Sequence, residues 1–114
     1  MLKDRLEAYG CDVEGTLKRC MNREELYISL LNEFPNDTSF SEIMEAYRSN
    51  NIEDLYKGVH SLKGVSGTLG FVSLYEICRE MCEMFRTGKS KEALKLIDRM
   101  IEVYEDLCRI IGEG

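Results

Sequence analysis

His60, Lys63 and Gly64 are the residues of this chain whose types and spacing could do chemistry. His60 is the only histidine in the 114-residue sequence. Imidazole is a good nucleophile with an unperturbed pKa near ~6.5, so much of it is neutral at physiological pH. On a ring nitrogen it would carry a phosphoryl group through a labile P–N bond. Phosphoryl transfer is mostly positioning plus neutralisation of charge on the equatorial oxygens. Lys63 follows one helical turn later and shares the face of His60. Its ammonium can meet a phosphoryl oxygen as a point charge. Gly64 leaves space beside the ring, so a large partner can approach the backbone closely.

These residues need a helix to hold them. An α-helix advances ~100° per residue, which sets each position around the axis relative to His60. Leu69 falls at ~180°, with Leu55, Gly58, Leu62 and Val65 within ~40° of it and Val59 and Ser66 on the flanks. That apolar stripe lies opposite His60. Around the imidazole stand Tyr56, Lys63, Gly64 and Gly67. Helix-interior glycines cost about 1 kcal/mol each relative to alanine, so each needs a reason. Gly58 is on the core side and is expected to permit close helix packing. Gly64 and Gly67 are on the exposed side, where access for a partner is the expected reason.

The other elements are read from apolar periodicity and terminal signals. Leu2, Leu6 and Tyr9 mark a short first helix ending at Gly10. Asp12 caps a second, weakened by Gly15 and running to about Cys20. Asn22 with Glu25 resembles a capping box before Leu26, Leu30, Leu31 and Phe34, and Pro35 stops that helix. Ser39 with Glu42 repeats the signal before Ile43 and Tyr47. Asn51 opens the helix of His60, and Gly70 ends it as a C′ residue. Ser73 with Glu76 opens the next, which ends before Gly88. Ser90 caps the last and longest, carrying Leu94, Ile97, Tyr104, Leu107 and Ile111. No alternating run of strand length occurs. Short connections force consecutive helices antiparallel. The expected fold is all-α: an antiparallel up-down four-helix bundle, with one or two short additional N-terminal helices over one end.

Bulk properties narrow the classes. The chain is 44% hydrophobic and 32% charged, as expected of a soluble globular protein, and its length fits one domain over residues 1–114. A net charge of −6 argues against nucleic acid as a partner. No apolar run approaches the ~20 residues that span a bilayer, and the N-terminus has no secretory h-region. Cys11, Cys20, Cys78, Cys82 and Cys108 are an odd number of widely spaced thiols, which points to a reducing, cytoplasmic compartment. No Gly-rich nucleotide loop of the P-loop kind occurs, and no cluster of acids sits near His60 to hold a divalent ion.

The run His60-x-Leu62-Lys63-Gly64, continuing to Leu69-Gly70, resembles the signature of histidine-containing phosphotransfer (HPt) domains. Gly10-Cys11-Asp12 with Leu17, and Leu30-Leu31-x-x-Phe34, resemble that family's N-terminal half; Ser73 to Arg86 with Gly88 resembles its segment after the histidine. The resemblance implies a four-helix bundle that relays a phosphoryl group between receiver-domain aspartates in two-component signalling. It implies His60 as phospho-acceptor, Lys63 as the phosphate-stabilising cation and Gly64 as the clearance residue. No cofactor of its own is expected, Mg²⁺ coming with the partner receiver domain. One departure stands out. Many family members carry an acidic or amide residue on the next helix near the histidine, and here that place falls to Cys82, a poor hydrogen-bond partner for imidazole.

The expected partners are response-regulator receiver domains, including that of a hybrid histidine kinase. Around His60, the expected partner-binding residues are Glu53, Tyr56, Lys57, Gly67, Arg79, Cys82 and Glu83. The chain is expected to be a monomer, since no long heptad stripe is left over. It is expected to be a phosphotransfer protein and not an autonomous kinase. Two alternatives stay open: a non-phosphorylated helical adaptor for signalling partners, and a metal-dependent redox protein using Cys78, Cys82 and His60. The initial Met1 and the closing Gly112-Glu113-Gly114 suit a free-standing protein, and an excised sensor-kinase domain equally.

Overall fold

Pro35 and a set of left-handed turns cut the chain into helices. The computed structural model describes residues 1–113, and among these every regular element is helical. The helices are α1 (Leu2–Ala8), α2 (Val13–Arg19), α3 (Glu24–Glu33), α4 (Thr38–Arg48), α5 (Ile52–Leu69), α6 (Val72–Arg86), α7 (Ser90–Leu94) and α8 (Ile97–Glu113). Pro35 sits in a single 3₁₀ turn, Phe34–Asn36, that ends α3. Gly10, Gly70 and Gly88 take positive φ where α1, α5 and α6 stop. Gly70, at φ +74°, also meets α2: a Cβ there would lie 2.3 Å from Thr16 Oγ1. The Asp12 N–H donates to the Gly70 carbonyl at 2.8 Å, tying the start of α2 to the end of α5.

Two expected caps form as read. Asp12 accepts from the Gly15 N–H, and Asn51 from the Asp54 N–H. Four do not. Asn22 adopts φ +58° beside Met21 at +57°, because the chain must reverse between α2 and α3, and the N-cap passes to Arg23. The Pro35 turn delivers Asp37 as the cap of α4, so Ser39 enters the first turn instead. There it is buried and shares a 2.7 Å hydrogen bond with Ser61 of α5. Phe71, not Ser73, precedes α6, and its ring is buried in the core. Lys89 takes the place expected of Ser90.

The last helix is also not continuous. The chain turns at Lys95 and Leu96, whose N–H groups bond to the carbonyls of Glu92 and Ala93. α7 packs on α6, whereas α8 meets α6, α1 and α3, and the turn lets Ala93 and Ile97 both be buried.

α5 lies between α4 and α6 and packs extensively on both. Its core face is Leu55, Gly58, Val59, Leu62, Ser66 and Leu69. Ser66 satisfies its hydroxyl on the Leu62 carbonyl at 2.7 Å, so a polar side chain is tolerated in the core. Below the far end of α5, Phe34 packs edge-on to Phe71 and against Tyr104. α1 is fastened to α8, where Tyr9 donates to Asp106 at 2.7 Å and Arg5 to the Ile110 carbonyl.

At Gly58 a Cβ would stand 2.7 Å from Ile43 Cγ1 of α4, and Ile43 is wholly buried. Alanine or valine there would gain helix propensity but force apart the α4–α5 contact. Gly58→Val should lower unfolding free energy by about 1–3 kcal/mol, read as a reduced urea midpoint. An unchanged midpoint would show that this contact can give.

Candidate functional site

The packing of Gly58 and Leu62 leaves the opposite side of α5 to solvent. His60 is exposed there, and its ring forms no hydrogen bond with any described residue. Lys63 follows one turn later, half-buried, and forms no ion pair among the described residues. Tyr56, two turns before Lys63, and Gly67, one turn after it, are on the same side of α5 and both meet α6, at Phe85 and Tyr75, so Lys63 lies on the α6 flank of His60. Other cations near the site are neutralised on their own helices. Lys57 pairs with Glu53 at 3.3 Å, Arg79 with Glu76 at 2.6 Å, and Arg86 with Glu83. Lys63 is therefore the cation beside His60 with its charge uncommitted.

Gly64 is open. No atom would lie within 4 Å of a Cβ built on it. Its carbonyl accepts from Thr68 Oγ1 at 3.0 Å. On the side of Gly64 away from Lys63, a groove of about 420 Å³ runs between α5 and the end of α3. Leu30, Phe34, Val65 and Leu69 give it apolar lining, and Glu33 and Asp37 line it with carboxylates.

Two expectations about the rim need correction. Gly67 is not an access residue: it is half-buried, and a Cβ would stand 3.2 Å from the Tyr75 ring. Its small size serves α5–α6 packing, and its carbonyl accepts from Arg19. Cys82 is not a partner-binding surface residue, because it is 7% exposed on the inner side of α6. Tyr56 is only half exposed, since its ring stacks on Phe85 of α6 with centroids 5.6 Å apart. Glu53, Lys57, Arg79 and Glu83 are exposed as expected, each in an intrahelical ion pair.

All five cysteines are free thiols. Burial pushes the Cys78 thiol up to about 12, and burial also raises Cys82. Protonated, buried thiols are poor nucleophiles and poor metal ligands. No three His, Cys, Asp or Glu side chains converge on a metal position among the described residues, so Cys78, Cys82 and His60 do not form the site a redox reading requires.

A family model for the Hpt domain matches residues 25–110, a span that contains α5 whole. The chain belongs to the Hpt domain family. Hpt domains are histidine phosphotransfer modules of phosphorelay signalling and have no kinase activity of their own. Neither the curated proteins nor the solved structures yielded a match to the chain. The match leaves α1 and α2 outside the Hpt span, although Asp12 and Arg19 of that segment bond to the end of α5. No described helix of this Hpt domain is long and apolar enough to cross a membrane.

The glycines of the site make a stability test. Gly64→Ala should raise unfolding free energy by up to about 1 kcal/mol, because the methyl enters open space and helix propensity improves. Gly67→Ala should gain less, since the methyl crowds Tyr75. Urea unfolding of the two variants side by side measures this; equal gains would contradict the packing assigned to Gly67.

Proposed function

We propose that this Hpt domain is a phosphorelay intermediate in two-component signalling, with His60 as its phospho-acceptor. The observation that carries the reading is a solvent-facing imidazole with an unpaired lysine one turn on and bare backbone at Gly64. α4, α5, α6 and α8 serve as the antiparallel four-helix bundle, and α1 and α2 as additions at its ends. The whole chain acts as one domain and one monomer in the cytoplasm.

The reaction is a nucleophilic displacement at phosphorus. The unprotonated nitrogen of neutral His60 attacks the aspartyl phosphate of a docked receiver domain. An N–P bond forms while the acyl O–P bond breaks, and the aspartate leaves as a carboxylate with its electron pair. The other ring nitrogen keeps its hydrogen. Lys63 steadies the equatorial oxygens as charge is redistributed among them. In the reverse sense, a second receiver's aspartate takes the group from His60. The donor is a response-regulator receiver, that of a hybrid histidine kinase included. We assign the Mg²⁺ and its acidic pocket to the receiver, along with the aspartate. The contact is transient, so a small surface around His60 suffices.

Incubation with a panel of phosphorylated receiver domains should place an acid-labile label on the chain. His60→Gln should abolish the label while the circular dichroism spectrum stays helical, because the side chain touches nothing in the core. A labelled His60→Gln variant would place the acceptor elsewhere. A wild type that binds receivers without ever taking label would be an adaptor. Lys63→Ala should slow loading about fivefold, since a unit charge ~4 Å from another in water is worth about 1 kcal/mol. Rapid-quench measurement of the transfer rate checks this, and an unchanged rate would remove Lys63 from the mechanism.

A further inference from the structure

α5 carries three aliphatic hydroxyls, Ser61, Ser66 and Thr68, and Ser61 behaves unlike the other two. Ser66 donates to the Leu62 carbonyl and Thr68 to the Gly64 carbonyl, each four residues back on the same helix. Serine and threonine inside a helix commonly spend their proton in this way. Ser61 does not. Its one side-chain hydrogen bond among the described residues is the 2.7 Å contact with Ser39. No other side-chain hydrogen bond joins α4 to α5 among the described residues.

The direction of this bond follows from burial. Each hydroxyl has one proton to give. Ser39 is 3% exposed, and its hydroxyl has no other partner among the described residues. With Ser39 as acceptor, its own proton would be shut in without an acceptor, which is costly. Ser39 therefore donates and Ser61 accepts. Ser61 is exposed, so its own proton faces solvent. A hydroxyl that accepts one hydrogen bond is polarised toward giving the next.

That proton stands next to the nucleophile. Ser61 follows His60 directly, ~100° round the axis on the α4 side, while Lys63 is on the α6 side. A body that covers the imidazole also covers Ser61. Once water is excluded, the outward O–H either finds an acceptor on that body or is left unsatisfied.

We propose that Ser61 is a specificity residue, donating a hydrogen bond to an oxygen acceptor on the docked receiver domain. The inference rests on relay through His60 and adds a polar requirement to it: a receiver with an apolar group opposite Ser61 is disfavoured. Ser39 aims the donor from within α4. Neither serine touches a reacting atom.

The test uses the full chain and a receiver domain, phosphorylated by a small acyl phosphate, that loads wild-type His60. Transfer rate is measured against receiver concentration for wild type, Ser61→Ala, Ser39→Ala and the double variant. Urea unfolding and direct loading by phosphoramidate are measured alongside. Ser61→Ala should raise the half-saturating receiver concentration about fivefold, the loss of one ordinary hydrogen bond, with the maximal rate unchanged. It should also lower the urea midpoint, because Ser39 is left buried without an acceptor. The double variant should recover the midpoint and keep the raised half-saturation. Ser39→Ala should raise half-saturation less than Ser61→Ala, since the donor remains. Phosphoramidate, which needs no receiver, should load wild type and Ser61→Ala equally. If Ser61→Ala saturates like wild type, the hydroxyl meets no receiver group, while relay through His60 stands. If the double variant saturates like wild type, Ser61 serves only the α4–α5 contact and the proposal is overturned. Slower phosphoramidate loading of Ser61→Ala would make the phosphoryl group the acceptor and overturn the receiver contact. If neither phosphoramidate nor any receiver labels His60, relay fails and the Ser61 proposal falls with it.

Discussion

Everything at the site depends on how α5 is rotated between α4 and α6. Two close approaches set that rotation. Gly58 lets α5 settle against Ile43, and Gly67 lets it settle under Tyr75. With those contacts made and Leu55, Leu62 and Leu69 in the core, His60 has one direction left. An exposed imidazole on a rigid helix is well placed without being enclosed. Its ring is free of the protein's own hydrogen bonds, as the proposed attack on a second protein's phosphoryl group would require.

The flanks of α5 follow from its neighbours. α6 brings arginines and glutamates spaced i,i+3, which pair along the helix and cancel. Exposed pairs of this kind add little stability, but they leave Lys63 as the positive charge that a phosphoryl group would find. On the other flank, Pro35 ends α3 in a tight turn and the aromatic packing of Phe34 fixes it next to Gly64.

Much of the site was legible in the sequence because it lies on one helix. A helix has a known period, so the burial of Leu55, Gly58, Leu62, Ser66 and Leu69 opposite His60 could be placed before any tertiary contact was known. Gly64 read correctly for the same reason, as open backbone beside the ring. Gly67 and Cys82 read wrongly because their surroundings come from the facing helix. Tyr75 occupies the space above Gly67, and α6 turns Cys82 inward. Caps showed the same division. Asp12 and Asn51 act within their own turn. Asn22 and Ser39 lost their expected places to a chain reversal and to a proline turn. The break at Lys95 and Leu96 carries no glycine or proline, so no local signal announced it.

By itself the sequence determined a helical chain, a single histidine facing away from the apolar stripe, and a cation and bare backbone on the same face. Those are properties of residue type and helical period, and they need no partner element. Tertiary structure decided which charges stay uncommitted, which glycines are open, and that Leu30, Glu33 and Asp37 stand beside Gly64. These last lie some thirty positions earlier in the chain. Only packing of the α3 turn on the aromatic core brings them to His60.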